Sequence, residues 1–172
     1  SSIASVDDNG VVTANGYGYC FITASVAGKE AECMVRVIPP TTVLTASAWS
    51  ENGIDLSWTD VEGITAYDLY RYDCNHSQTE LLNRVSADVT TYTDNTLDAS
   101  TRYMYYVVSE YYDPDIGYYA ESRSNTEYNK YEITYIMNGG TNAESNPSTF
   151  SWNQAKFSLA KPQHESAVFE GW

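Results

Sequence analysis

Apolar and polar residues alternate along most of the chain in short runs rich in Val, Thr, Ile and Tyr. These runs are "YCFITASV", "AECMVRVI", "IDLSWT", "AYDLYRY", "ELLNRVS", "TTYTDN", "RYMYYVVSEY", "YYAESRSN", "YEITYIM" and "KFSLAK". They recur about every ten residues and are separated by Gly, Asn, Asp and Pro clusters, the pattern of half-buried strands joined by tight turns. No window sustains a helical apolar period, so the expected fold class is all-β, built from tandem small β modules with few helices. Two breaks divide the pattern. Pro39-Pro40 is a stiff pair that cannot join a central strand, and fresh alternation follows a polar stretch near Asn129-Lys130. Three modules are expected, over 1–39, 40–129 and 130–172, in an elongated row with few contacts between them.

Charge narrows the partners. Nine Lys and Arg stand against 23 Asp and Glu in 172 residues, a net charge of −14. Such a surface repels nucleic-acid phosphates and anionic lipid heads alike, so no nucleic acid is expected as a partner. No run approaches the roughly 18 apolar residues of a membrane span, so no membrane insertion is expected.

The first module carries "SVDDNGVVTANGYG", "CFITASV" and "CMVRV" in order. In these it resembles the C-terminal half of a bacterial immunoglobulin-like domain of group 2. Half a β-sandwich exposes open edges and an apolar face, so this stretch is expected to belong to a longer chain. In the central module, "GIDLSWTDVEGITAYDLYRYD" and "TTYTDNTLDASTRYMYYVVSEY" resemble successive strands of a fibronectin type III domain. That resemblance implies a sandwich with Trp58 and Tyr67 in its core and Leu97 and Tyr103 at the tyrosine corner, where the phenol bonds back to the loop it closes. The last module, through "YEITYIMNGGT", "NPSTF", "FSLAKP" and "FEGW", resembles the Listeria-Bacteroides repeat of internalin-type surface proteins. The resemblance implies a β-grasp-like unit whose sequence normally continues past Trp172.

The cysteines admit a geometric reading. Cys20, Ile22, Ala24 and Val26 share one strand face, as do Ala31, Cys33, Val35 and Val37. A hairpin folded at Val26-Ala27 sets Cys20 opposite Cys33, within the Cα separation a disulfide needs. The pair is then either a bond favoured by an oxidising exterior or two thiols packed as small hydrophobes. Cys74 has no evident partner.

Catalytic chemistry finds little support. The two histidines, His76 and His164, lie in different modules. Cys74 and His76 offer a thiol and an imidazole, but no orienting third group or oxyanion site accompanies them, and a polar loop is the favoured reading. Asn75-His76-Ser77 also fits a glycosylation sequon. Three scattered cysteines do not form zinc clusters. "DDNG" at 7–10 and "DPDIG" at 113–117 contain ordinary turn residues and too few oxygens for calcium. No enzyme activity, cofactor or metal is expected.

Seven of the sixteen tyrosines fall between residues 103 and 119. Alternation from the corner sends Tyr103, Tyr105 and Val107 inward and Met104, Tyr106 and Val108 outward. Beyond Ser109, two tyrosine pairs flank two carboxylates. Tyr111, Tyr112, Tyr118 and Tyr119 with Asp113 and Asp115 either form a ligand-contacting loop for host protein or glycan, or pack against a neighbouring module or pad the outer sheet. The resemblances imply non-catalytic spacer and binding modules of a bacterial protein, extracellular or cell-wall attached, as in a Gram-positive adhesin. They fit equally the accessory modules of a secreted glycosidase or peptidase whose catalytic domain lies elsewhere. In both settings the immediate partners are neighbouring modules of the same longer chain.

Overall fold

A computed structural model describes residues 1–171. The fold is all-β, in several small sheets, and no described helix is long and apolar enough to cross a membrane. Trp172, which ends the "FEGW" motif, lies outside the described residues.

The N-terminal unit is two separate strand pairs: β1 (Ala4–Val6) with β2 (Val12–Ala14), and β3 (Gly18–Val26) with β4 (Lys29–Val37). The β3–β4 hairpin turns through Ala27 and Gly28, whose φ values of +47° and +74° form the two-residue loop that suits the twist of antiparallel strands. This turn moves the expected register. Cys20 faces Val35 and Cys33 faces Ile22, so the two thiols are diagonal neighbours on one face and both are free. The shift has a local cause: a turn one residue earlier would force β-branched Val26 to positive φ and waste Gly28.

The central unit is a sandwich. β5 (Leu44–Ala46), β6 (Ile54–Trp58) and β9 (Thr91–Asp94) form a three-stranded sheet in the order β5-β6-β9. Facing it are β8 (Gln78–Ser86), β7 (Ala66–Asp73), β10 (Tyr103–Asp113) and β11 (Tyr118–Arg123), with β12 (Glu127–Tyr128) also on β10. The unit therefore has a fibronectin type III-like fold. Strict alternation builds it: Ile54, Leu56 and Trp58 are buried while Asp55 and Ser57 are exposed. Leu44, Tyr67, Leu69, Tyr105 and Val107 fill the space between the sheets. Trp58 meets Tyr67 edge-on with ring centroids 5.6 Å apart, and Leu97 packs against the same core. The Asp98 N–H donates to the Tyr103 phenol oxygen at 3.3 Å, closing the β9–β10 loop. Asn125 ties the sandwich shut, its amide taking the Leu44 N–H at 2.7 Å and donating to the Leu44 carbonyl at 3.0 Å.

The third unit pairs β13 (Lys130–Glu132) with β14 (Thr149–Ser151) and adds one bridge between Thr141 and Gln163. The stretch "KFSLAK", expected as a strand, is not one. Ala160 spends both backbone groups on the side-chain amide of Asn146, at 2.6 and 3.0 Å, instead of on a neighbouring strand. The units touch at a few specific points. At the second junction Lys130 makes a parallel bridge with Ala48 and its carbonyl accepts the Trp49 N–H at 2.7 Å. Trp152 sits edge-on to Tyr128 and under the Arg102 guanidinium.

Candidate functional site

The β10–β11 hairpin carries the tyrosine cluster, and its register divides the rings. Tyr112 faces Tyr119 and Asp113 faces Tyr118 across the pair. Alternation from fully buried Ser109 puts Tyr111, Ala120 and Tyr118 on the inner face. At this end β10 and β11 run past the opposing sheet, and the N-terminal unit takes its place. Tyr111 meets Tyr17 edge-on at 5.4 Å between centroids, and Tyr118 meets Tyr19 at 5.2 Å. The Arg36 Nε–H donates to the Tyr118 phenol at 3.1 Å, and the Tyr17 hydroxyl donates to the Glu62 carbonyl at 2.8 Å. The four rings are therefore divided: Tyr111 and Tyr118 contact a neighbouring unit. Asp113 is a turn acceptor, taking the Asp115 N–H at 3.0 Å, while Gly117 at φ +63° completes the reversal.

Tyr112 and Tyr119 remain on the outer face, 48% and 43% exposed. The same face holds residues to which the sequence alone gave no role. Tyr70 and Tyr106 stack at 5.0 Å with their planes 13° apart, and the Arg123 guanidinium covers Tyr106 at 3.7 Å. With Val108 and Glu121 they line a shallow groove. Beside it, Asp68 and Glu110, each 5% exposed, share Arg84. Arg84 Nη1 donates to both Asp68 carboxylate oxygens at 2.9 Å, and its Nη2 pairs with Glu110. The Tyr119 hydroxyl donates to Glu110 and stands 3.0 Å from Glu121. The outward parity shared by Tyr106, Val108 and Glu110 was a local signal for this cluster. Arg84 was not, because it arrives from β8 through long-range pairing.

Two acids around one guanidinium cannot be equivalent. Burial and then the neighbouring Glu110 charge raise the Asp68 pKa above its ordinary 3.8, despite the opposing pull of Arg84. Burial also pushes Glu110 upward, but hydrogen bonds from Arg84 and Tyr119 prevail and hold it below its ordinary 4.5. Burial, then donation to Glu110, carries the Tyr119 phenol well above the usual tyrosine range. The signs fix a pH response. A raised Asp68 contributes stability that is lost as pH climbs through its folded pKa. A depressed Glu110 contributes stability that is lost as pH falls through its own. Thermal melts across pH 3 to 7 should therefore show Glu110→Gln destabilised at neutral pH, by about 1–3 kcal/mol for a buried charged hydrogen-bond acceptor. Asp68→Asn should equal or exceed the parent chain at neutral pH. A larger loss for Asp68→Asn than for Glu110→Gln would contradict this assignment.

The other sequence candidates sit apart. His76 Nδ1 lies 2.8 Å from Asp73, which also takes the backbone N–H groups of Asn75 and His76. The hydrogen bond from His76 leads the causes that lower the Asp73 pKa. Burial, then the Asp73 charge, raises the Cys74 thiol, which disfavours the nucleophilic thiolate. Residues 73–76 thus form a capped turn. Asp7 does the same at "DDNG", accepting the backbone N–H groups of Asn9 and Val11. Among the described residues no group of three His, Cys, Asp or Glu side chains is placed to hold a metal ion.

Comparison with known proteins gives partial likenesses. No protein-family profile matches the chain, and no curated protein matches it. Among solved structures, it is similar to pectate lyase PelI from Erwinia chrysanthemi, solved with tetragalacturonic acid, at 22% identity over 52% of this chain and 28% of that one (TM-score 0.40). Pectate lyase Pel3 from Pectobacterium carotovorum is 23% identical over 52% of this chain and 26% of its own (TM-score 0.40). An Fn3-like protein from Clostridium thermocellum is 20% identical over 58% of this chain and all of its own (TM-score 0.45). The chain thus spans little more than a quarter of the length of either lyase.

Proposed function

We propose that this chain is a non-catalytic segment of a bacterial secreted or cell-surface protein, acting as spacer and binding surface, with host protein or glycan as the ligand. The observation that supports this reading is the division of the hairpin tyrosines. Inner-face rings join one unit to the next, while Tyr112 and Tyr119 stay in solvent on the broad outer sheet. Tyrosine offers large contact area at low rotamer cost, so an exposed pair beside a sheet groove suits recognition. Asp113 and Asp115 rim the same hairpin tip and would favour ligands bearing positive charge or many hydroxyl donors.

The experiment pairs binding with turnover. Retention of the chain on immobilised glycans and host-cell surfaces is compared with that of Tyr112→Ser/Tyr119→Ser, with melting temperature recorded alongside. Retention is expected to drop tenfold or more while melting falls modestly, since the buried hydrogen bond lost is that of Tyr119 to Glu110; about 1.4 kcal/mol corresponds to that tenfold change. Screens of the same chain with glycan, ester and peptide substrates are expected to show no turnover. Undiminished retention in the double variant, or turnover removed by changing His76, would overturn the reading.

A further inference from the structure

The two junctions are built from different bonds. At the second, backbone joins backbone: the Trp49 N–H donates to the Lys130 carbonyl, and a parallel bridge sets Ala48 beside Lys130. Asn129, 3% exposed, reinforces it by donating to the Thr101 carbonyl at 3.2 Å and to the Tyr131 phenol at 2.8 Å. At the first junction, the hydrogen bonds among the described residues that tie 1–38 to the sandwich all run through side chains. They are the Tyr17 hydroxyl on the Glu62 carbonyl and the Arg36 guanidinium on the Tyr118 phenol. Beside them stand the edge-on Tyr17–Tyr111 and tilted Tyr19–Tyr118 ring pairs, and the Tyr17 ring also packs against the sandwich core.

The linker behaves as two parts. Pro39 is fully buried against the sandwich, and the Thr41 hydroxyl lies 3.3 Å from that of Ser122. Ile38 just before it is 47% exposed. The chain is thus anchored from Pro39 onward, and any swing of the N-terminal unit must pivot at Ile38, which the following proline biases toward extended backbone. Exposed side-chain contacts open more readily than a backbone hydrogen bond reinforced by a buried amide.

We infer that Tyr17, Tyr19, Arg36, Tyr111 and Tyr118 form a latch that sets the angle between the N-terminal unit and the sandwich, and that opening it releases a hinge at Ile38. The third unit has no such freedom. This device goes beyond the proposed function, because it operates whether or not the outer face carries a ligand.

Residual dipolar couplings of the full chain in a dilute aligning medium test the inference. In the parent chain, couplings from 1–37 and from 41–128 should fit one alignment tensor. In Tyr111→Ser/Tyr118→Ser they should need two, with the magnitude for 1–37 reduced and the amide spectrum of the sandwich core retained. Tyr17→Ser/Arg36→Ala approaches the latch from the other side and should give the same loss, guarding against a hairpin variant that disturbs its own sheet. Tyr112→Ser, on the outer face, should keep a single tensor. A parent chain that already needs two tensors, or latch variants that keep one, would overturn the latch. Either result leaves the binding comparison of Tyr112 and Tyr119 unaffected.

Discussion

Asp94→Ala should destabilise the central sandwich by about 3–5 kcal/mol, the range for removing one partner of a buried ion pair. Asp94 is fully buried, yet both of its carboxylate oxygens are hydrogen-bonded. Arg71 Nη1 donates to Oδ2 at 2.8 Å and the Tyr105 hydroxyl donates to the same oxygen at 3.0 Å. Thr96 supplies its N–H and hydroxyl to Oδ1 at 3.0 and 2.8 Å. Truncation leaves the Arg71 side chain, only 11% exposed, with Glu80 as its remaining ion-pair partner, and strands a phenol in the core. For a unit of this size the melting temperature should fall by well over about 10 °C. Replacing both partners, as in Arg71→Met/Asp94→Leu, should cost much less than the single change, because no uncompensated charge remains. Urea titration of the two variants beside the parent decides the matter. A loss below about 1 kcal/mol for Asp94→Ala would show that the network is not closed as described.

Gly53→Ala should be comparably severe, for a reason of backbone rather than charge. Gly53 has φ +110°, and a Cβ there would stand 2.2 Å from the Asp94 carbonyl oxygen and 2.9 Å from Asn95 Cα. Neither atom belongs to a side chain that can move aside. Its N–H and C=O are exchanged with Ser50 at 3.1 and 3.0 Å, so the turn cannot relax without losing both bonds. Conformational strain of this kind costs about 1–3 kcal/mol by itself, and separating β6 from β9 to relieve the overlap adds to it. Gly28→Ala is the matched comparison, with φ +74° but open space around the added methyl. Its cost should stay near about 1 kcal/mol. Equal melting temperatures for the two variants would remove the clash from the explanation.

Alternation carries the central sandwich a long way. Period-two spacing through "IDLSW" and "YMYYVV" places Ile54, Leu56, Trp58, Tyr103, Tyr105 and Val107 where the structure buries them. Val108 departs from it: outward by parity, it is nonetheless buried, in the groove it lines with Tyr106 and Arg123. Parity also carries past Ser109 to separate Tyr111 from Tyr112. What no strand-by-strand reading supplies is the surface that Tyr111 meets, because Tyr17 lies far back in the chain. The same limit hides Arg84 between Asp68 and Glu110. The cysteine register fails differently. A slip of two residues returns every side chain of β3 to its own face, so the apolar pattern is blind to it, and only the φ demands of Ala27-Gly28 decide. In the third unit, a polar residue with no place in any apolar pattern, Asn146, claims the backbone of Ala160 and dissolves an expected strand.

The shared amide of Asn129 has a further consequence for hydrogen exchange. Its side chain accepts the Tyr103 N–H at 3.1 Å while donating to Tyr131, so one buried group belongs to the first residue of β10 and to β13 together. The Trp49 amide, bonded to Lys130, cannot exchange until that strand lifts. Lifting it uncovers Asn129 and frees the start of the longest strand in the sandwich. The Trp49 and Tyr103 amides should therefore become exchangeable in one shared opening, the lifting of β13, whereas the exposed ladder amides of β3 and β4 exchange by local fraying.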